Sequence, residues 1–332
     1  MPDAPKRLWI DSHTHLFGHT LDGGPLSYTV EDVRKVLDGS DADLRWIVSD
    51  NCTADVLRFA TDPDSLRTMN RNLYERFVKP LGGRVLGSVQ IDPRALKQSH
   101  EDLDLYIGER NYVMVGEVEG IPHGFDMDCP EMLELVRHAA RLHTPVQLHC
   151  STNDSPTGEH MRQALHVARA VPEARIIIAH AIGGRNTYQL ILAAETHLAG
   201  GADNLYLEIN GFNVRSFLRA AYEHLGPDRL LVGTDWGTYH APPFDPYATH
   251  IYLQSHPGWW KDAKVFGKSQ WDSLIWLSAA TVIDLNETPY PVAVSSFVGF
   301  LREAGVTEAD VEKIGSGTAV RLFHLGEKGL LR

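Results

Sequence analysis

The sequence is poor in cysteine and carries no excess of basic residues. Its 332 residues include three cysteines, none in a CxxC pair, so we expect no disulfide framework and favour a reducing compartment, the cytoplasm. Lys and Arg number 31 against 43 Asp and Glu, a formal net charge of −12. Negative charge repels phosphate backbones and anionic lipids, so neither nucleic acid nor a membrane surface is an expected partner.

Long apolar runs are missing as well. No stretch approaches the roughly 18 consecutive apolar residues of a membrane-spanning helix, and the first residues contain no apolar signal core. Internal repeats, low-complexity segments and Pro/Gly/Ser linkers are also lacking. We therefore predict a single domain over residues 1–332, with the ordinary composition of a globular protein.

The sequence does contain a regular alternation of short apolar runs with longer amphipathic segments. The apolar runs are rich in Val, Ile and Leu, which is typical of parallel strands buried on both faces. The eight predicted strands are Leu8–Asp11, Arg45–Ser49, Val85–Gln90, Tyr112–Gly116, Pro145–His149, Arg175–Ala179, Asn204–Glu208 and Arg229–Gly233.

Helical patterns lie between most of these strands, as in Cys129–Leu142, where apolar residues form one stripe. Such alternation fits an open doubly wound sheet or a closed barrel. The count of eight strands, with polar residues at their C-terminal ends, favours a (β/α)₈ TIM barrel, whose active sites lie at that end.

The chemistry-bearing residues stand at these strand ends. The first strand runs into "DSHTH", where His13 and His15 share a face of an extended chain and could bind one metal ion. His149 ends the fifth strand, His180 the sixth and Asp235 the eighth. Each alone is an ordinary structural residue, but together they form a chemically sufficient metal site.

This set resembles the metal-dependent amidohydrolase superfamily, in its amidohydrolase-2, aminocarboxymuconate-semialdehyde-decarboxylase-like branch. The resemblance extends to the tail "IGSGTAVRLFHL", which is similar to that branch's closing "GNAARLF" helix, with Thr318 where Asn is usual. It implies that His13, His15 and His149 are metal ligands. It also implies that Asp235 is a ligand and proton acceptor, and that His180 is a ligand or a catalytic group.

The fourth strand, "YVMVGEVEG", leaves two interpretations open. Glu117 resembles the carboxylate that bridges two ions in some related barrels, and it equally fits a carboxylate that orients a ligand histidine. Glu119, two residues on, is interpreted as a loop residue. Gln90 at the end of the third strand could contact substrate or satisfy loop backbone.

The predicted cofactor is one or two divalent ions, zinc first, with manganese, iron or nickel as alternatives. The main functional hypothesis is hydrolysis of a small-molecule amide, ester or lactone by metal-activated water, with Asp235 and His180 as catalytic groups. Non-oxidative decarboxylation of a small aromatic-like acid on the same scaffold is the alternative. A nuclease is disfavoured by the charge, and a non-catalytic metabolite-binding barrel would require five accidental strand-end residues.

One segment does not follow the alternation of apolar runs and amphipathic segments. Residues 236–291 follow the eighth strand and are rich in Trp, Tyr, His and Pro. We expect either an elaborated connection packed on the barrel, a substrate lid or an oligomer contact, the last consistent with a homodimer.

Overall fold

The computed structural model describes residues 5–16, 29–50, 62–150, 159–179, 202–209, 215–234 and 293–331. Within these ranges the chain forms eight strands, each parallel to the next in sequence order. The strands are β1 Leu8–His15, β2 Asp43–Ser49, β3 Val85–Val89, β4 Tyr112–Val118, β5 Val146–Leu148, β6 Ile176–Ile178, β7 Leu205–Ile209 and β8 Leu230–Val232. All eight predicted strands are confirmed, with ends that differ by a few residues.

Helices connect the strands and form an outer layer. The described helices are α1 Val30–Gly39, α2 Pro63–Leu73, α3 Lys79–Leu81, α4 Leu96–Glu109, α5 Gly120–His123, α6 Pro130–Arg141, α7 Glu159–Ala170, α8 Arg215–Leu225, α9 Ala293–Glu303, α10 Glu308–Glu312 and α11 Thr318–Leu322. Single π-helical turns continue α2 over Tyr74–Val78 and join α10 to α11 over Lys313–Gly317. Glu308–Leu322 is thus one helical run containing a π turn.

Side chains join β8 back to β1 and bring the ends of the sheet together. Ser12 Oγ donates to the carbonyl of Val232 at 2.7 Å. Thr234 donates to the Asp11 carboxylate through its backbone N–H at 2.9 Å and its hydroxyl at 2.5 Å. The sheet is therefore a nearly closed barrel, and the predicted (β/α)₈ TIM-barrel fold is confirmed.

The core divides into two apolar layers. The larger one lies between strands and helices and includes Trp9, Trp46 and Tyr112, all buried. The smaller one fills the barrel floor, where Ile10, Ile47 and other strand residues pack against the C-terminal segment. That segment supplies Ala319, Leu322, Phe323, Leu325 and Leu330. Apolar side chains thus close the floor of the barrel, and the polar side chains of the candidate site lie at the opposite end of the strands.

Among the described residues, no helix has the length and apolarity needed to cross a membrane. Residues 236–291, expected to form a connection, lid or oligomer contact, lie outside the described residues. The homodimer therefore stays a prediction.

Candidate metal centre

The first strand brings His13 and His15 to one place. Both rings are buried, with 1 % of each residue exposed, and their Nε2 atoms lie 2.9 Å apart. The pairing of β1 with β2 is regular up to Asp11 and resumes at Thr14. This irregularity in the strand pairing lies at the start of the HxH pair, where β1 changes from apolar residues of the floor to polar residues.

Glu117 faces both rings from the fourth strand. Its Oε2 lies 3.2 Å from Nε2 of His13 and 3.6 Å from Nε2 of His15. The preceding residue must be glycine, because Gly116 has φ +114° and a Cβ there would come within 2.4 Å of the Gln147 carbonyl oxygen. Gln90 donates from Nε2 to the Glu117 carbonyl at 3.2 Å, so this amide satisfies backbone next to the site.

The other oxygen of Glu117 faces the fifth strand. Oε1 lies 2.7 Å from Nδ1 of His149. Glu119, which sequence reasoning assigned to a loop, also lies here, since Glu117, Glu119 and His149 offer ligand atoms within 4.8 Å of one another. The carboxylate of Glu117 is therefore shared by two donor groups, one with His13 and His15 and one with Glu119 and His149.

Glu208 on β7 is a site residue that sequence reasoning missed. It is completely buried, and its Oε2 lies 2.6 Å from Nδ1 of His13. Its other oxygen accepts from Gln147 Nε2 at 2.9 Å and lies at the same distance from Ser12 Oγ. Gly233 makes room for it, because a Cβ at that position would lie 2.1 Å from the carboxylate carbon. The available signal was a lone acidic residue inside the apolar strand "LYLEI".

These contacts define which nitrogens can bind an ion. An ionised carboxylate only accepts hydrogen bonds, so Nδ1 of His13 carries a hydrogen, and an ion bound at Nε2 would replace the other proton of the ring. Nδ1 of His15 is likewise occupied, by Ser49 Oγ at 3.0 Å. Burial lowers the pKa of His13, but the Glu208 and Glu117 carboxylates outweigh burial and raise it well above its ordinary value.

A divalent ion fits this donor set. Zinc–nitrogen bonds of about 2.0–2.1 Å in a tetrahedron place neighbouring ligand atoms roughly 3.3 Å apart. The three separations among Nε2 of His13, Nε2 of His15 and Oε2 of Glu117 run from 2.9 to 3.6 Å. A cation would stabilise the two imidazole nitrogens that face each other beside the Glu117 carboxylate. In addition, Nδ1 of His13 donates to a carboxylate, as the second ring nitrogen of a ligand histidine usually does.

Two predicted site residues, His180 and Asp235, lie outside the described residues. Their roles as ligands or catalytic groups stay predictions. Cys150, which follows His149, is buried, and burial raises the pKa of its thiol. The thiol is therefore protonated and poorly suited to bind the ion.

A family model described as amidohydrolase, Amidohydro_2, matches residues 10–325. The chain belongs to the amidohydrolase family. The match includes every predicted ligand, and it confirms the family resemblance seen in the sequence. No curated protein sequence matches the chain.

Decarboxylases and a putative hydrolase are among the solved structures that resemble the chain. The 2,6-dihydroxybenzoate decarboxylase from Rhizobium has a TM-score of 0.62 at 16% identity, with 97% of this chain and 100% of that one covered. A putative 2-pyrone-4,6-dicarboxylic acid hydrolase from Pseudomonas putida has a TM-score of 0.54 at 16% identity, with 96% of this chain and 97% of that one covered. The dihydroxybenzoic acid decarboxylase from Polaromonas sp. JS666 has a TM-score of 0.57 at 15% identity, with 99% of both chains covered. That structure was solved with manganese and the inhibitor 2-nitroresorcinol.

Proposed function

We propose that this amidohydrolase-family protein is a metal-dependent hydrolase of a small-molecule amide, ester or lactone. The observation that carries the proposal is the position of Glu117, whose two oxygens face two separate donor groups. A carboxylate shared in this way suits a centre of up to two ions, and paired ions are common in hydrolytic enzymes. Zinc is the first choice for imidazole and carboxylate donors, with manganese next because one similar structure contains it.

When bound, the metal would act as a Lewis acid and lower the pKa of a bound water from about 15.7 to about 7. The residues of the chain do the rest. Glu208 accepts from Nδ1 of His13 and so directs Nε2 towards the ion, and Ser49 orients His15. We propose that Asp235 completes the ligand set and accepts the proton, and that His180 either binds metal or polarises the substrate.

Decarboxylation is the second candidate function. Two of the three similar structures described above act, by their names, on dihydroxybenzoic acids. An acidic protein with a buried His/Glu centre would hold a substrate carboxylate through the metal rather than through a basic surface. Under this alternative, a single ion would lie at His13 and His15, and Glu117 would serve to orient His149.

The test combines ion counting with product analysis. We expect the metal-loaded parent to hold about two ions per chain and Glu117→Gln about one, with turnover of an ester and lactone panel falling by about 10² or more. Glu223→Gln, an exposed glutamate on α8 paired with Arg219, is the matched control and should behave as the parent.

Two results would decide against hydrolysis. One ion per chain with Glu117→Gln fully active would remove the role given to Glu117. Release of CO₂ from a panel of hydroxybenzoic acids, without turnover of esters or lactones, would establish the decarboxylase instead.

A further inference from the structure

A buried histidine faces one of the two donor groups of the metal centre, the one formed by Glu117, Glu119 and His149. We call this the second donor group. His123 ends α5, the short helix that follows β4, and only 2 % of it is exposed. Its Nε2 has no hydrogen-bond partner among the described residues, although Oε2 of Glu119 lies 3.3 Å away. A buried polar nitrogen without a hydrogen bond costs free energy, which indicates that this contact serves more than packing.

The backbone brings Glu119 and His123 together within one helical turn. The N–H of His123 donates to the carbonyl of Glu119 at 3.1 Å, and residues four apart on a helix share a face. Gly120 lets the chain turn back closely, because a Cβ there would lie 2.8 Å from the carbonyl oxygen of Phe125. The imidazole is therefore held against the carboxylate by the path of the chain.

The second donor group combines two carboxylates with one imidazole. The side chain of Glu117 is 2 % exposed, and those of Glu119 and His149 are 14 % and 13 % exposed. Carboxylates this close and this far removed from water repel each other unless a cation lies near them. Glu117 and His149 are 2.7 Å apart, a hydrogen-bond length, so a proton and an ion would compete for that pair. Glu119 adds a second negative charge, which favours a divalent ion over a single proton.

We propose that Glu119 is a ligand of the second ion and that His123 is the positioning residue that orients it. The proposal rests on the two-ion centre proposed above, and it names the carboxylate that belongs to the second ion alone. Ligating carboxylates are usually held by hydrogen bonds from neighbouring side chains. The 3.3 Å contact is close to the length of such a bond, and a rotation of the carboxylate would align it with the ring nitrogen.

The experiment measures each ion separately. Full-length protein stripped of metal is titrated with Zn²⁺ against a chromophoric chelator, and bound zinc is counted by elemental analysis. We expect the parent to bind two ions and Glu119→Gln one, with a Kd that matches one of the two parent values. Folding is checked for every variant by its Tm.

Two substitutions of His123 separate orientation from packing. His123→Leu fills the space without a donor, and it should bind the second ion about 10- to 100-fold more weakly while the Kd of the first ion stays unchanged. His123→Gln carries an amide N–H near the position of Nε2, and it should recover the parent's affinity for the second ion.

Glu134→Gln is the matched control. Glu134 also contacts a histidine, His100 at 2.9 Å, but it belongs to neither donor group, so this variant should bind both ions as the parent does. Two ions in Glu119→Gln would overturn the proposal and leave the two-ion centre standing. Equal weakening of both ions in His123→Leu, or no recovery in His123→Gln, would overturn the role given to His123. One ion per chain in the parent would instead refute the two-ion centre, and this proposal with it.

Discussion

At the scale of single residues, the candidate metal centre includes side chains that contact the proposed ligands from behind. Glu208 contacts His13, Ser12 and Gln147 at once, so one buried carboxylate links three strands. It also selects the tautomer of His13 that can bind metal. A ligand histidine without such a partner can bind the ion, but its ring orientation and basicity are not controlled.

Glu208→Gln is therefore expected to weaken metal binding. The amide cannot accept from His13 on one side and from Gln147 on the other, because one of its two ends only donates. We expect the affinity for Zn²⁺ to fall about 10- to 100-fold, the usual effect of losing such a partner. Competition with a chromophoric chelator measures this without an activity assay.

The control for this change is Glu223→Gln, which removes the same charge at the surface. Unchanged zinc affinity in folded Glu208→Gln would show that the ring of His13 is held by the metal and its other neighbours alone.

At the scale of elements, the helices are tied together by polar contacts near their ends. α10 begins after Thr307, whose side chain accepts from the backbone N–H of Asp310. The carboxylate of Asp310 accepts from Tyr222 on α8 at 2.6 Å and from Thr307 at 2.8 Å, and it lies 3.0 Å from Lys313 Nζ. One carboxylate thus joins a helix start to a neighbouring helix.

These contacts predict a pH dependence of stability. The hydrogen bond from Tyr222, followed by those from Lys313 and Thr307, lowers the pKa of Asp310 to about 2. The folded-state pKa is below the unfolded value of about 3.9, so the stabilisation is present above about pH 4 and is lost as pH falls towards 2. Asp310→Asn should have a lower Tm near neutral pH and a smaller further loss between about pH 4 and pH 2.

Calorimetry across this range measures the effect, with Asp203→Asn as the control. The Asp203 side chain is fully exposed, 3.7 Å from Arg229, and its replacement should leave the acid dependence as in the parent. Parallel curves for the parent and Asp310→Asn would contradict the assignment.

At the scale of the whole molecule, the two ends of the barrel differ in the side chains they carry. The C-terminal segment packs its apolar side chains into the floor, and Arg45 donates to the carbonyl of Leu330 at 2.6 Å. The opposite end carries the donor groups. Stability and chemistry are therefore separated along the barrel axis, as in other barrels of this type.

Phe323→Ala tests this separation. Phe323 is 1 % exposed in the floor cluster, and truncating a buried Phe typically costs about 3–5 kcal/mol. We expect the free energy of unfolding to fall by that amount in urea, while zinc affinity at the His13 centre stays within about twofold of the parent under native conditions.

The exposed neighbour Glu327, which pairs with His324 at 3.1 Å, supplies the control. Glu327→Ala should change stability by no more than about 0.5 kcal/mol. A parallel loss of zinc affinity and stability in Phe323→Ala would show that floor and centre are coupled.

The sequence by itself predicted the barrel and the two histidines of the first strand. Eight apolar runs alternating with amphipathic segments require a parallel sheet covered by helices, because each face must be buried. We could predict that His13 and His15 face the same candidate site because two-residue spacing in a strand places both side chains on one face. Strand bounds moved by a few residues, as with β1, because pairing partners decide where a strand ends.

Only the tertiary structure decided which distant residues meet. Glu208 is 195 positions from His13, and no local pattern relates a β7 carboxylate to a β1 histidine until the barrel closes. The same holds for His100 and His138, 38 positions apart, which lie on helices whose packing brings them face to face. Local periodicity specifies helices and strands. Contacts between residues far apart in sequence, such as that of Glu208 with His13, form only when the barrel closes, and periodicity does not encode them.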